Sequence, residues 1–288
     1  MLTVAYLGPE LTYTHLAAKE KFGEDVRYLH APTIKEVFEL VRRKDANYGV
    51  VPIENSVAGG VADTLDTFIN LRDSEIRIHG EIDRPIRHSF IMHEEALIEE
   101  IRLVFSHPQA LMQSEEWLRK NLSKEVRLWE TNSTSEAVLL LMPPQGAIVS
   151  TSREYGDLLR GSARTHAAIA SDMLVKGIKG LKAISLPENP NNRTRFLIIG
   201  FGEAKKGRSN KTSILFGIKD HPGALYDALV PFKYNRINLT KIESRPSKKK
   251  VWEYLFFIDL EGHVSESRIK KALDALKRSA SFVEVLGS

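Results

Sequence analysis

The chain contains no cysteine among its 288 residues. That absence excludes disulfides, thiolate nucleophiles and cysteine-ligated metals together. No apolar run approaches membrane-spanning length. The first residues, Met1 to Gly8, lack the basic flank and the length of a signal peptide. Cytoplasmic residence without membrane contact is therefore expected. The nine histidines show no His-x-x-x-His spacing beside a carboxylate, so no metal site is expected. There is no Walker-type loop and no Gly-x-Gly-x-x-Gly, which argues against a nucleotide cofactor. Neither sign of charge dominates: 41 Lys and Arg face 37 Asp and Glu, a net +4. So small an excess does not make a nucleic-acid groove, although it suits the steering of an anionic substrate.

What is present is an ordinary globular composition, 42% hydrophobic and 27% charged, at a length that accommodates two or three domains. The first two-thirds alternates short apolar runs with helical periodicity. Strands are expected at 2–7, 26–29, 48–53, 76–82, 89–93, 103–106, 126–129 and 147–150, with helices at 12–22 and after Thr33. Such alternation predicts α/β architecture with mainly parallel sheets. The small-residue run Ala167-Ala168-Ile169-Ala170-Ser171 reads as helix packing without chemistry. A basic, glycine-containing stretch at 204–211 reads as a linker. Beyond it, strands at 212–218, 237–244, 251–260 and 282–286 and helices at 224–232 and 266–278 give a ferredoxin-like βαββαβ order.

Polar clusters gather at strand ends. Asn192-Arg193-Thr194-Arg195-Phe196 opens a strand with an alcohol beside a guanidinium, whose planar fork matches a carboxylate. Alone, so short a motif decides nothing; behind Glu188-Asn189-Pro190 it carries more weight. Pro52-Ile53-Glu54-Asn55-Ser56 leads into a turn containing Gly59 and Gly60, where free backbone N–H groups can meet an anion; Asn55 or Ser56 as a plain helix cap is the simpler reading. Gly8-Pro9-Glu10-Leu11-Thr12-Tyr13 forms a third such turn, where Thr12 serves equally as cap or substrate contact. Ser106-His107-Pro108-Gln109 reads as cleft lining and helix capping. Ser133 with Glu136 forms a capping-box pattern, with donation from Ser133 or Thr134 to a ligand as a secondary role. Near the C-terminus, Gly223-Ala224-Leu225 follows a Pro at a helix start, and Asn238 precedes Leu239-Thr240-Lys241-Ile242-Glu243-Ser244-Arg245-Pro246.

These motifs together resemble the monofunctional prephenate dehydratases that carry a C-terminal ACT regulatory domain. Pro-Ile-Glu-Asn-Ser and Thr-Arg-Phe match, Glu188 stands where Asp is more usual, and Leu11 stands where the family usually has Gly. The resemblance implies a bilobal, periplasmic-binding-protein-like catalytic domain over 1–203. Lobe one would cover about 1–77 and 175–203, and lobe two about 78–174. A linker at 204–211 and an ACT domain at 212–288 would follow. It implies conversion of prephenate to phenylpyruvate without a cofactor. Thr194, Arg195 and Phe196 would be catalytic: Thr194 donating to the departing hydroxyl, Arg195 anchoring a carboxylate or the loop, Phe196 shaping the pocket. Glu54, Asn55, Ser56, Gly59, Thr12, Tyr13, Ser133 and Thr134 would bind substrate. Gly223, Ala224, Leu225, Asn238, Glu243, Ser244, Arg245 and Pro246 would bind the effector L-phenylalanine between subunits of a homodimer or homotetramer. Because Leu disfavours the positive φ that Gly allows, the resemblance also leaves a different path open for the Leu11 loop. Arogenate dehydratase and a noncatalytic phenylalanine sensor are the alternatives.

Overall fold

Short apolar runs and capped helices build one lobe from both ends of the first two-thirds of the chain. The computed structural model describes residues 1–72, 74–142, 163–175, 178–203, 206–207, 210–248 and 253–288. In chain order, β1 (Thr3–Leu7), α1 (Tyr13–Phe22), β2 (Arg27–Ala31), α2 (Ile34–Arg42), β3 (Tyr48–Asn55), the two-residue β4 (Gly59–Gly60), α3 (Ala62–Asn70) and β5 (Ile76–Pro85) come first. Thr12 and Thr33 cap α1 and α2, each accepting the N–H three residues on.

The chain then builds a second sheet. Its elements are β6 (Ser89–His93), β7 (Leu103–Ser106), α4 (Pro108–Gln113), α5 (Glu115–Asn121), β8 (Arg127–Glu130), α6 (Thr134–Leu139), β9 (His166–Ala170) and β10 (Leu181–Ser185). The strand order is β10-β6-β9-β7-β8. β9 corrects the reading of 167–171 as helix. Its five residues are all buried, and the strand lies between β6 and β7, with Ala167 and Ala168 paired to both. Alanine is poor in strand propensity, but a central strand covered on both faces accepts small side chains. The strand expected at 147–150 lies outside the described residues.

β11 (Arg193–Phe201) returns to the first sheet between β3 and β5. β5 stays paired with β11 as far as Pro85, so the chain leaves the first lobe after that residue rather than near 77. β10 ends at Ser185 in the second sheet, so the return also falls later than 175. The bilobal architecture is present, with two crossing segments at 86–88 and 186–192.

The last third comprises β12 (Lys211–Ile218), α7 (Ala224–Tyr234), β13 (Leu239–Pro246), β14 (Tyr254–Glu261), α8 (Ser267–Ser279) and β15 (Ala280–Gly287). The order β13-β14-β12-β15 is that of a ferredoxin-like unit. Its helices cover one face, burying Phe216, Phe232, Ile258 and Leu273. The other face lies on the first lobe: Leu215, Leu255, Phe257 and Leu286 share a core with Phe68, Ile69, Ile76 and Ile78. Gly287 pairs with Ile78 across this seam, where any Cβ would overlap the Ile78 backbone. Glycine is thus required for the two sheets to meet.

Candidate active site

A cleft of about 610 Å³ opens between the lobes. Thr12, Tyr13, Asn55, Thr194 and Phe196 line it from the first lobe, and Gln109, Gln113, Ser133 and Thr134 from the second. His30, His88 and His107 also line it, whereas among the described residues no Lys or Arg does. Anionic groups in this cleft would meet hydroxyls, amides and helix-start N–H groups rather than a guanidinium. At the start of α1, the first-turn N–H groups lack intrahelical acceptors, and the helix dipole favours negative charge there.

Thr194 and Asn55 are cross-strand partners on β11 and β3. Asn55 Nδ2 donates to Thr194 Oγ1 at 2.9 Å, to Asn192 Oδ1 at 2.8 Å and to the Arg193 carbonyl at 3.1 Å. Its Oδ1 accepts from the N–H groups of Val57 (3.0 Å) and Ala58 (2.9 Å) and from Gln109 Nε2 (3.2 Å). This pattern fixes the amide orientation, because a flipped Asn would set oxygen against oxygen and donor against donor. An amide nitrogen cannot accept, so Thr194 accepts from Asn55 and keeps its own proton for another partner.

A chain of amides extends this pair toward the second lobe. Asn192 Nδ2 donates to Gln113 Oε1 at 2.9 Å, and His88 Nε2 lies 3.2 Å from the same oxygen. His88 therefore carries its proton on Nε2, leaving Nδ1 bare. Among the described residues the buried His88 Nδ1 and Gln113 Nε2 have no hydrogen-bond partner. Burial pushes the His88 pKa down, against the bond to Gln113, which raises it. Sequence reasoning passed over Gln113 and His88. The available signal was the spacing of Gln109 and Gln113, four apart and so on one helix face after His107-Pro108.

Tyr13 donates its hydroxyl to the Arg87 carbonyl in the first crossing segment, and burial raises its pKa to about 12. Thr12 caps α1 and also donates to the Leu7 carbonyl at 3.0 Å. Ser133 caps α6, accepting from the Glu136 N–H at 3.0 Å, while the Glu136 carboxylate accepts from the Asn132 N–H at 2.8 Å. Leu11 adopts φ +62°, the left-handed conformation that favours Gly. Its side chain packs against the second-lobe core around Ile91, Phe105 and Leu140, a contact that offsets the strain.

Several expected site residues lie elsewhere. Strand alternation sends Thr194 and Phe196 to the cleft and Arg195 to the opposite face. There Arg195 bonds Glu54 (3.0 Å), Glu81 (2.9 Å) and Asp259 of the ferredoxin-like unit (2.6 Å). It is not among the residues that line the cleft. Burial would lower its pKa, but these carboxylates outweigh burial and raise it. Glu54 faces the same way, bound also by Lys241 at 2.6 Å. Ser56 Oγ donates to the Asn191 carbonyl and accepts from the Arg193 N–H at 2.8 Å, which ties down the segment before β11. Gly59 pairs with Asn55 in the β3–β4 turn.

Of the expected effector residues, Gly223 caps α7 with φ +83°. Ser244, Arg245 and Pro246 end β13, but Arg245 is bound to Asp66 at 3.1 Å, and Glu243 to Lys241 at 2.8 Å. Asn238 donates to Glu261 at 3.0 Å beyond the other end of β13. The set therefore does not converge within one chain. Ala224 and Leu225 open α7 at the Gly223 end.

Histidine burial gives these sites a pH signature. His15, His88 and His107 all have lowered pKa values, with burial the largest cause in each. The unfolded chain then binds more protons than the folded one once pH falls below their ordinary 6.5. The thermal midpoint is expected to fall between pH 7.5 and 5.5; a flat profile would show that these rings protonate freely in the folded state.

Among the described residues, no group of three His, Asp or Glu is arranged to hold a metal, and no helix is long and apolar enough to cross a membrane. A family sequence model described as Prephenate dehydratase matches residues 4–204, and one described as ACT domain matches 212–278. The bifunctional chorismate mutase/prephenate dehydratase of Aquifex aeolicus is 44% identical, over 100% of this chain and 73% of its own length. The prephenate dehydratase of Methanocaldococcus jannaschii is 35% identical, over 99% of this chain and 96% of its own length. A crystal structure of prephenate dehydratase from Arthrobacter aurescens in complex with L-Phe superposes with TM-score 0.85 at 28% identity, covering 99% of this chain and 89% of that one.

Proposed function

The chain belongs to the prephenate dehydratase family, and from that premise we propose that its interlobe cleft converts prephenate to phenylpyruvate, carbon dioxide and water. The observation that carries this reading is the Asn55 bond to Thr194 Oγ1, which leaves the Thr194 proton available to a ligand in the cleft. In the reaction, the bond from the ring to its carboxylate breaks and its electron pair enters the ring. The ring aromatises as the bond to the hydroxyl at the opposite carbon breaks. The departing oxygen gathers negative charge, and Thr194 donates a hydrogen bond to it as that charge develops. A threonine hydroxyl is too weak an acid to surrender its proton outright, so donation to nascent hydroxide, with the last proton drawn from water, is the economical role.

Among the described residues the cleft lining carries no Lys or Arg, which suits this chemistry. Losing carbon dioxide removes a charge, so a carboxylate held without a cation is not over-stabilised in the ground state. Ser133, Thr134 and the backbone N–H groups at Thr12 and the start of α1 would hold the anionic ends, and the buried Phe196 ring would support the substrate ring.

The catalytic unit would comprise residues 1–203 and the regulatory unit 212–288, acting in the cytoplasm. The effector would be L-phenylalanine. β13 lies at the end of the ten-stranded sheet, and Ile242 on it is exposed. Antiparallel pairing of two β13 edges would set the Asn238 end of one copy against the Gly223 end of another, assembling in a homodimer the residues that one chain keeps apart; a homotetramer would be a pair of such dimers. Coupled assays of prephenate loss and phenylpyruvate formation test the activity, with arogenate as a parallel substrate. L-phenylalanine is expected to lower the rate and raise the thermal midpoint, and Gly223→Val to abolish both responses. A wild-type protein indifferent to phenylalanine would defeat the regulatory half of this reading.

A further inference from the structure

Two successive cross-strand pairs of β3 and β11 look in opposite directions. Asn55 and Thr194 face the cleft; Glu54 and Arg195 face the regulatory unit. The register shifts between Arg195 and Phe196, a bulge that re-aims side chains just where the two faces meet. From the regulatory side, Asp259 Oδ2 accepts from Arg195 at 2.6 Å, and Lys241 donates to Glu54 at 2.6 Å. These contacts are enclosed: the side chains of Asp259, Lys241 and Arg195 are 2%, 8% and 12% exposed. Asp259 is itself fixed by Ser213, which donates to its other oxygen at 2.6 Å. The Glu243 carboxylate sits on Gly60, where any Cβ would overlap it, and Gly60 pairs with Glu54.

We propose that Asp259 and Lys241 are positioning residues for the dehydration: through Arg195 and Glu54 they set the geometry of the Thr194–Asn55 pair from the far face of the sheet. The inference rests on the activity proposed above. Adjacent Cα atoms are about 3.8 Å apart, so a shift of Arg195 is carried into Thr194 with little loss. Misplacing a reacting group by about 1 Å can cost on the order of a hundredfold in rate. β13 carries Lys241, Glu243 and Arg245 on its inward face, all in ion pairs at the seam with the first lobe or with one another. Displacement of this strand would therefore reach Thr194 through one strand pair, without crossing the cleft.

The test uses full-length Asp259→Asn, Lys241→Gln and Arg195→Lys, with the Asp259→Asn/Arg195→Lys double variant, assayed for phenylpyruvate formation. Asn keeps the shape of Asp259 and leaves Arg195 two other carboxylates, so the fold has support. Both Asp259→Asn and Lys241→Gln are expected to lower kcat about tenfold or more, with KM within about threefold. The double variant is expected to be no slower than Arg195→Lys alone, because Asp259 acts through that side chain. A merely structural role would lower the thermal midpoint while leaving kcat per folded protein unchanged, and that outcome overturns the proposal. If Asp259→Asn does not fold, Lys241→Gln decides by the same criterion. Inactive wild type would sink the proposed activity instead; active wild type with unaltered variants sinks this inference alone.

Discussion

Thr194→Val is expected to lower kcat about a hundred- to ten-thousand-fold, the range by which a positioned proton donor accelerates such steps. Valine keeps the branched shape, so packing beside Phe196 is conserved and KM should change little. The hydroxyl matters only as the ring-to-oxygen bond breaks, and an interaction made only in the transition state appears in kcat. Thr194→Ser should recover much of the rate, less whatever the methyl group contributes by fixing the rotamer. Steady-state kinetics with phenylpyruvate detection check both variants. A Thr194→Val enzyme with unchanged kcat and raised KM would assign the hydroxyl to ground-state binding.

Asn55→Asp should be nearly as damaging although it is isosteric. Asn55 Nδ2 faces three oxygens, on Asn192, Arg193 and Thr194. A carboxylate oxygen placed there repels two of them and draws the Thr194 proton toward itself, away from the substrate. It also adds negative charge to a cleft that must admit a dianion, so KM should rise while kcat falls. The fall in kcat is expected to be about a hundredfold or more, comparable to removing one preorganised donor. The Asn55→Asp protein should melt earlier, since a half-buried carboxylate oxygen set against the Asn192 and Arg193 oxygens is costly. A kcat within about threefold of wild type would mean that Thr194 does not depend on Asn55 for its orientation.

The elements that hold these two residues were legible in the sequence where local chemistry and tertiary context agree. Thr12 and Thr33 cap the helices that their positions predict. β6 and β7 fall where their apolar runs place them. Agreement failed where burial overrode local preference. The alanine run 166–170 became a central strand because both its faces are covered. Leu11 adopts a left-handed backbone conformation that favours glycine, and its side chain packs on a core in the other lobe.

The candidate site was legible as a set of strand ends, but not in which way each side chain points. Thr194 and Arg195 are neighbours in sequence and opposites in space, and only the pairing of β11 between β3 and β5 reveals it. Arg195 looked like a carboxylate anchor because a guanidinium beside an alcohol usually is one. Its partners, Glu81 and Asp259, lie over a hundred and over sixty positions away in the chain, beyond any local pattern. His88 carries no motif, and Gln113 only its four-residue spacing from Gln109. Their importance comes from buried atoms without partners, a property of the folded state only.

The most direct measurement is a crystal structure with a non-reacting prephenate analogue that keeps the ring hydroxyl. That hydroxyl is expected within about 3 Å of Thr194 Oγ, with Asn55 still donating to the same threonine. An analogue whose hydroxyl bonds another group, with Thr194 Oγ directed elsewhere, would contradict this role for Thr194.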